Sequence, residues 1–178
     1  DNHANSSPKV LERLQSISGQ APTFVKADVT NRSELQSVFS RFNIDAVVHF
    51  AAFKAVGEST QEPLRYYRNN VEGLLTLCEV MQQASCRHFI FSGSATVYGQ
   101  PKSLPIREDA PVQATNPYGH TKLIGEQILH DLAAADPSWR TAILRYFNPV
   151  GAHTRGLIGE DPLGIPNNLM PYVAQVAI

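Results

Sequence analysis

His88-Phe89-Ile90-Phe91, followed by Ser92-Gly93-Ser94, is the stretch on which the fold turns. The first four residues form a short, aromatic-rich apolar run, which predicts a buried strand. The small polar residues after it predict a strand end, with Ser94 beyond it. Upstream, Asp45-Ala46-Val47-Val48-His49-Phe50 reads as a second strand of the same buried type. Between the two, Pro63 can open a long helix, with Leu64, Val71, Leu74, Leu75, Cys78 and Met81 on one side. Downstream, Pro117 starts another helix, with Ile124, Ile128 and Leu132 at a period of four, and Thr141–Tyr146 is a further strand.

The same alternation extends to both ends. A helix-compatible stretch covers about Pro8 to Ile17, and Thr23–Ala27 reads as a strand ending at Asp28. Asn31 and Glu34 have the spacing of a capping box for a helix running to about Phe42. Asn167 could cap a last helix. Apolar strands joined by crossover helices predict an α/β fold, a Rossmann-type doubly wound parallel sheet covered on both faces with right-handed crossovers. Ligands in such sheets gather at the carboxyl ends of the strands, where Asp28, Phe50, Ser94 and Phe147 all fall. Two long loops, residues 99–116 and 151–166, are rich in Pro and Gly, and ordered loops of that length usually serve a site.

Composition excludes several classes of function. The chain has 178 residues and 43% hydrophobic content, enough for a core and in the range of one domain. The formal net charge of -1 and the lack of a basic block argue against nucleic acid as a partner. The longest apolar runs are strand-sized, against the roughly 20 residues of a membrane span, and no signal-peptide pattern opens the chain. Cys78 and Cys86 lack metal or redox spacing and read as reduced thiols of a cytoplasmic protein. The six histidines are scattered, so no metal site is expected.

Tyr118 and Lys122 lie at i, i+4 in the predicted helix, which puts a phenol and an ammonium on one face of one turn. Alone, such a pair also fits an exposed helix face. With Ser94 at a strand end upstream, it suggests a phenol tuned to move protons beside a nicotinamide. A Gly-rich turn, which should follow the first strand of a dinucleotide-binding domain, does not occur in the sequence. The chain reads as though the first strand-helix-strand unit were absent. Asp1 would then end the second strand, where ribose hydroxyls are read, although it also fits a plain charged terminus.

Five segments carry a family resemblance: Val48-His49-Phe50-Ala51-Ala52-Phe53-Lys54-Ala55-Val56-Gly57-Glu58-Ser59; Ser94-Ala95-Thr96-Val97-Tyr98-Gly99; Asn116-Pro117-Tyr118-Gly119; Leu144 to His153; and Gly159 to Pro171. On these the chain resembles the extended short-chain dehydrogenase/reductase family, and within it the UDP-glucose 4-epimerase branch. The likeness runs from Asp1 to Ile178. It implies NAD as cofactor, UDP-glucose and UDP-galactose as substrates in galactose metabolism, and a homodimer through the long helices. It implies a partial NAD-binding domain over residues 1–150 and the start of a substrate-binding region over residues 151–178.

The resemblance also implies residue roles. Tyr118 would be the acid/base, Lys122 its activator and Ser94 a hydrogen-bond partner of the sugar hydroxyl. Asp1 and Asn2 would sit at the adenosine ribose and Asp28 and Val29 at the adenine. Phe50, Ala51, Ala52 and Lys54 would line the cofactor with Asn69 nearby, and Phe147 would border the nicotinamide. Asn148, Asn168 and Leu169 would contact the UDP-sugar. The chain departs from the family pattern in Ala52 for a common glycine, Gly93 for a common serine and His120-Thr121 for Lys-Ser.

A free phenol titrates near ~10, and a neighbouring ammonium lowers an acid by roughly 1–3 units. Lys122 and the positive nicotinamide together are therefore expected to bring Tyr118 into working range. Two other readings stand beside this one. A nucleotide-sugar 4,6-dehydratase would commonly have an Asp-Glu pair after the serine position, where this chain has Ala95-Thr96. A catalytically inactive fragment is the third, since a sheet without its central strand leaves backbone groups unpaired.

Overall fold

The computed structural model describes residues 1–160, 166 and 168–177. The chain divides into two units. One comprises Asp28–Phe147, and the other comprises Asp1–Ala27 with the residues from Asn148 onward.

The larger unit is the α/β body. After α2 (Arg32–Arg41) come β1 (Ala46–His49), α3 (Val56–Gln61), α4 (Pro63–Tyr67), α5 (Gly73–Gln83), β2 (His88–Ser94), α6 (Pro117–Ala135) and β3 (Arg140–Tyr146). The strands form one parallel sheet in the order β1-β2-β3. The register sets Val47 against Phe89, and Phe89 against Thr141. β2 runs three residues further than the apolar run suggests, so Ser94 is its last residue. The small polar residues stay in the ladder because β3 supplies pairing backbone out to Tyr146.

Side-chain alternation then decides which face is buried. Phe89, Phe91 and Ile143 on one face pack with Leu74, Leu77, Met81 and Leu129 of α5 and α6. On the other face Val48 and Leu144 are exposed. The expectation of helices on both faces therefore does not hold within this unit. Successive right-handed crossovers that advance in one direction place their helices on the same side of a sheet.

The helix opened by Pro63 continues to Gln83 through a π turn at Arg68–Glu72. Leu74, Cys78 and Met81 are buried as expected, but Leu64 and Leu75 are exposed. Adjacent residues on a helix point about 100° apart, so Leu74 and Leu75 cannot both face the core. The π turn inserts an extra residue and rephases the segment that bears Leu64. Asn31 caps α2: its Oδ1 accepts the Glu34 N–H at 3.3 Å, and its amide donates to Glu34 Oε1 at 2.9 Å. Glu34 Oε2 also accepts the Asp28 N–H at 2.7 Å, so the box ties the end of the preceding segment to the helix.

The smaller unit carries α1 (Lys9–Ser18) and α7 (Leu169–Ala177). Thr23–Ala27 does not form a strand there. The Asp1 amino group donates to Val25 O at 3.4 Å, and Ala27 N–H donates to Asp1 O at 3.3 Å. That is a parallel pairing one residue long. A strand exists through its partner, so sequence preference alone could not create one. The expected Asn167 cap lies outside the described residues.

Among the described residues no helix is long and apolar enough to cross a membrane, and no group of three or more His, Cys, Asp or Glu side chains could hold a metal ion.

Candidate active site

α6 is anchored twice at its start. Asn116 Oδ1 accepts the Gly119 N–H at 2.8 Å as an N-cap, with Pro117 at the first helical position. The Tyr118 N–H donates to Ser59 Oγ at 3.2 Å, and Ser59 is fully buried on α3. The start of the helix is thus fixed by a side chain 59 residues upstream. Farther along, a Cβ at Gly125 would stand 2.6 Å from the Phe91 ring, so glycine there lets α6 press onto β2.

These constraints gather Ser94, Tyr118 and Lys122 at the carboxyl end of β2. Their exposures are 7%, 9% and 4%. Lys122 Nζ donates to Ser92 O at 2.6 Å and lies 5.0 Å from the Phe91 ring centroid and 5.9 Å from that of Tyr118. Ser94 Oγ accepts the Thr96 N–H at 3.2 Å and the Thr96 hydroxyl at 2.9 Å, capping a 3-10 turn over Ala95–Tyr98.

Burial governs the titration of this group. It pushes the Tyr118 phenol above its ordinary value, while a hydrogen bond with Ser94 pulls the other way. Burial also brings Lys122 down to about 8. His49, beneath the pair and against the Phe89 and Phe91 rings at 5.8 and 6.2 Å, is lowered to about 4 by burial first and by the charge of Lys122 second. The share of the phenol's expected lowering assigned to Lys122 is not seen in the protein alone. Its ammonium is turned to the Ser92 carbonyl, and desolvation of the phenolate dominates.

The loop after β1 is held by a residue that the sequence reading passed over. Asn70, buried in the π turn, accepts the Phe53 N–H and donates to Phe53 O, both at 2.9 Å. Its amide also donates to Thr121 Oγ1 at 3.1 Å, and Thr121 donates in turn to Tyr118 O at 2.7 Å. Asn69, the residue singled out from sequence, donates to Asn70 Oδ1 at 2.9 Å. The available signal was an Asn pair in a helix interior, where asparagine is disfavoured unless its side chain is hydrogen-bonded. Tyr66 supports the same loop: its hydroxyl donates to Glu58 Oε2 at 2.6 Å and accepts the Ala55 N–H at 3.1 Å.

At the outer ends of β1 and β3, Phe50 and Phe147 are 64% and 61% exposed. Phe50 lies 6.4 Å from the Tyr146 ring. Ala51 and Lys54 are exposed and Ala52 is half-buried. The exposed rings flank the end of β2, because β1 and β3 are its two neighbours in the sheet. Asp28 Oδ1 accepts from Thr30 N–H at 2.8 Å and Thr30 Oγ1 at 2.6 Å, and Val29 packs against the core and Gly73.

The remaining sequence-selected residues belong to the other unit. Asp1 Oδ1 accepts the His3 N–H at 2.7 Å and the Ser6 hydroxyl at 2.9 Å. Asn2 Oδ1 accepts the Ala4 N–H at 2.9 Å. Asn148 is exposed, the Asn168 amide donates to Glu160 Oε1, and exposed Leu169 opens α7.

Residues 2–176 match the profile of the NAD dependent epimerase/dehydratase family. The whole chain is 57% identical over 178 residues to a UDP-glucose 4-epimerase of Bacillus subtilis, of which it covers 52%. It is 56% identical over 179 residues to one of Haemophilus influenzae, of which it covers 53%. The crystal structure of UDP-glucose 4-epimerase from Bifidobacterium longum in complex with NAD+ and UDP superposes with a TM-score of 0.96 at 54% identity, over 99% of this chain and 53% of that one. The chain spans about half the length of the curated relatives it matches.

Proposed function

The chain belongs to the NAD dependent epimerase/dehydratase family, and we propose that it carries the acid/base machinery of a UDP-glucose 4-epimerase that interconverts UDP-glucose and UDP-galactose in galactose metabolism. The observation that carries this reading is the convergence of Ser94, Tyr118 and Lys122 at one strand end, between the exposed Phe50 and Phe147.

A secondary alcohol carbon is not acidic enough to invert by proton loss, so inversion at C4 runs through a 4-keto sugar. NAD, when bound, supplies the two-electron oxidation at C4 and its reversal. Tyr118 takes the 4-hydroxyl proton during oxidation and returns it during reduction on the other face. Ser94 holds the sugar oxygen and, through its bond to Tyr118, favours the phenolate. Lys122, protonated below about pH 8, adds a positive charge one turn away and pins the end of β2 through Ser92 O. Phe50, Ala51, Ala52, Lys54 and Phe147 border the cofactor, with Asn69 beside the Asn70 clamp that sets their loop.

Asp1, Asn2, Asp28 and Val29 complete the cofactor set in this reading, and Asn148, Asn168 and Leu169 the substrate set, with residues 151–178 opening the substrate-binding region. Two buried thiols, Cys78 and Cys86, support a reducing, cytoplasmic setting. Exposed Leu64 and Leu75 support a homodimer through the long helices.

The test is turnover of UDP-galactose by the full-length protein and its Tyr118→Phe variant. Loss of the general acid/base should cost roughly 10²–10⁴-fold in kcat with bound NAD retained. Undiminished conversion in the variant would refute the assignment.

A further inference from the structure

Half-buried Arg145 and buried Glu126 form a two-pronged ion pair outside the reacting group. Arg145 Nε donates to Glu126 Oε1 at 2.9 Å, and Nη2 donates to Oε2 at 2.7 Å. Glu126 is 3% exposed. It lies one turn beyond Lys122 and two beyond Tyr118, on the same face of α6. The remaining prong of the guanidinium, Nη1, donates to Tyr98 Oη at 2.9 Å and to Glu108 O at 3.3 Å, with the Tyr98 ring centroid 4.8 Å from the guanidinium carbon.

One side chain therefore joins the segments that present Ser94, Tyr118 and Lys122. Through Glu126 it holds the Tyr118–Lys122 helix. Through Tyr98 it holds the turn capped by Ser94. Through Glu108 it holds the loop over residues 99–116, and its own backbone lies two residues before Phe147 on β3. Gly93 lets β2 and β3 lie close beside the pair: a Cβ there would stand 2.9 Å from Leu144 O, and at an ordinary contact distance of 3.5 Å from Glu126 Oε1. Only a guanidinium presents donors in a planar fork that can serve a carboxylate, a phenol and a carbonyl together. A lysine at this position keeps the charge and loses the geometry.

We propose that Arg145 is a positioning residue that, through Glu126 and Tyr98, fixes the Ser94 turn against the Tyr118–Lys122 helix. The inference rests on the epimerase reading for its catalytic consequence. Misplacing reacting groups by about 1 Å can cost on the order of 10²-fold.

The experiment compares the full-length protein with Arg145→Lys, and with Glu126→Leu/Arg145→Leu, in which an apolar pair replaces the ions and the fold is expected to persist. In both, kcat for UDP-galactose should fall by roughly 10- to 10²-fold with KM within about twofold. Amide hydrogen exchange should speed up at 94–99 and 117–123, while α2 and α5 stay protected. Wild-type kcat in either folded variant overturns the proposal, as does a loss of protection spread equally over α2 and α5. If the wild-type protein does not turn over UDP-galactose, the functional reading fails separately. Localised exchange then still supports the positioning role, and unchanged exchange rejects it.

Discussion

Replacing Lys122 by methionine separates what this side chain does for function from what it costs the fold. The Nζ is almost fully buried, with the Ser92 carbonyl as its hydrogen-bonded partner at 2.6 Å. Burial lowers its pKa from 10.5 to about 8. Each unit is about 1.4 kcal/mol, so keeping the ammonium charged in the folded protein costs on the order of 3 kcal/mol. Between about pH 8 and 10.5 the unfolded chain still binds a proton that the folded protein has released, so stability rises with pH in that window. Below about pH 8 both states are protonated and the contribution is flat. Methionine has a similar reach and no charge. Urea unfolding of wild type and Lys122→Met across this range gives the difference directly, because other titrating groups are common to both. Wild type should gain ~3 kcal/mol on the variant between about pH 8 and 10.5. The lost bond to Ser92 O adds a constant offset and leaves the slope alone. Turnover should collapse in the variant throughout. Parallel stability curves over the window would refute the burial argument, whatever the activity.

His49 gives the same case at acid pH. Its pKa falls from 6.5 to about 4, so the unfolded chain takes up a proton first and stability drops as pH falls through that window, by ~3 kcal/mol. His49→Gln should remove this dependence, and thermal melts from about pH 7 to 4 that still track wild type would count against it. Asn70→Leu leaves the Phe53 N–H without its side-chain acceptor, which should cost about 1–3 kcal/mol. The same change should weaken NAD binding in a fluorescence titration, because the clamp sets the loop from Phe50 to Lys54, and unaltered affinity would argue against that role.

Much of the body was legible from periodicity and punctuation. The strands β1, β2 and β3 follow from short apolar runs, α2 from the Asn31–Glu34 spacing, and α6 from Pro117 with the apolar repeat behind it. The Tyr118–Lys122 pair was visible because i, i+4 neighbours on a helix share a face. Other features depended on partners distant in sequence. Leu64 and Leu75 match an apolar stripe yet are exposed, Leu64 because the π turn rephases the helix and Leu75 because it adjoins the buried Leu74. Thr23–Ala27 has strand composition yet, among the described residues, forms no strand and meets Asp1 in a single bridge. Asn70 bonds to Thr121, Ser59 to Tyr118, and Arg145 to Glu126, Tyr98 and Glu108, contacts set by packing rather than by any local pattern.

The order of residues alone determined the kind of fold and the chemical groups available to it, because backbone preference and side-chain spacing act within a few residues. Which face of the sheet is covered, which asparagine holds the loop, and which way the Tyr118 phenol is pushed were settled only by tertiary structure. Burial and desolvation depend on what surrounds a group in three dimensions, and no local stretch of chain contains that information.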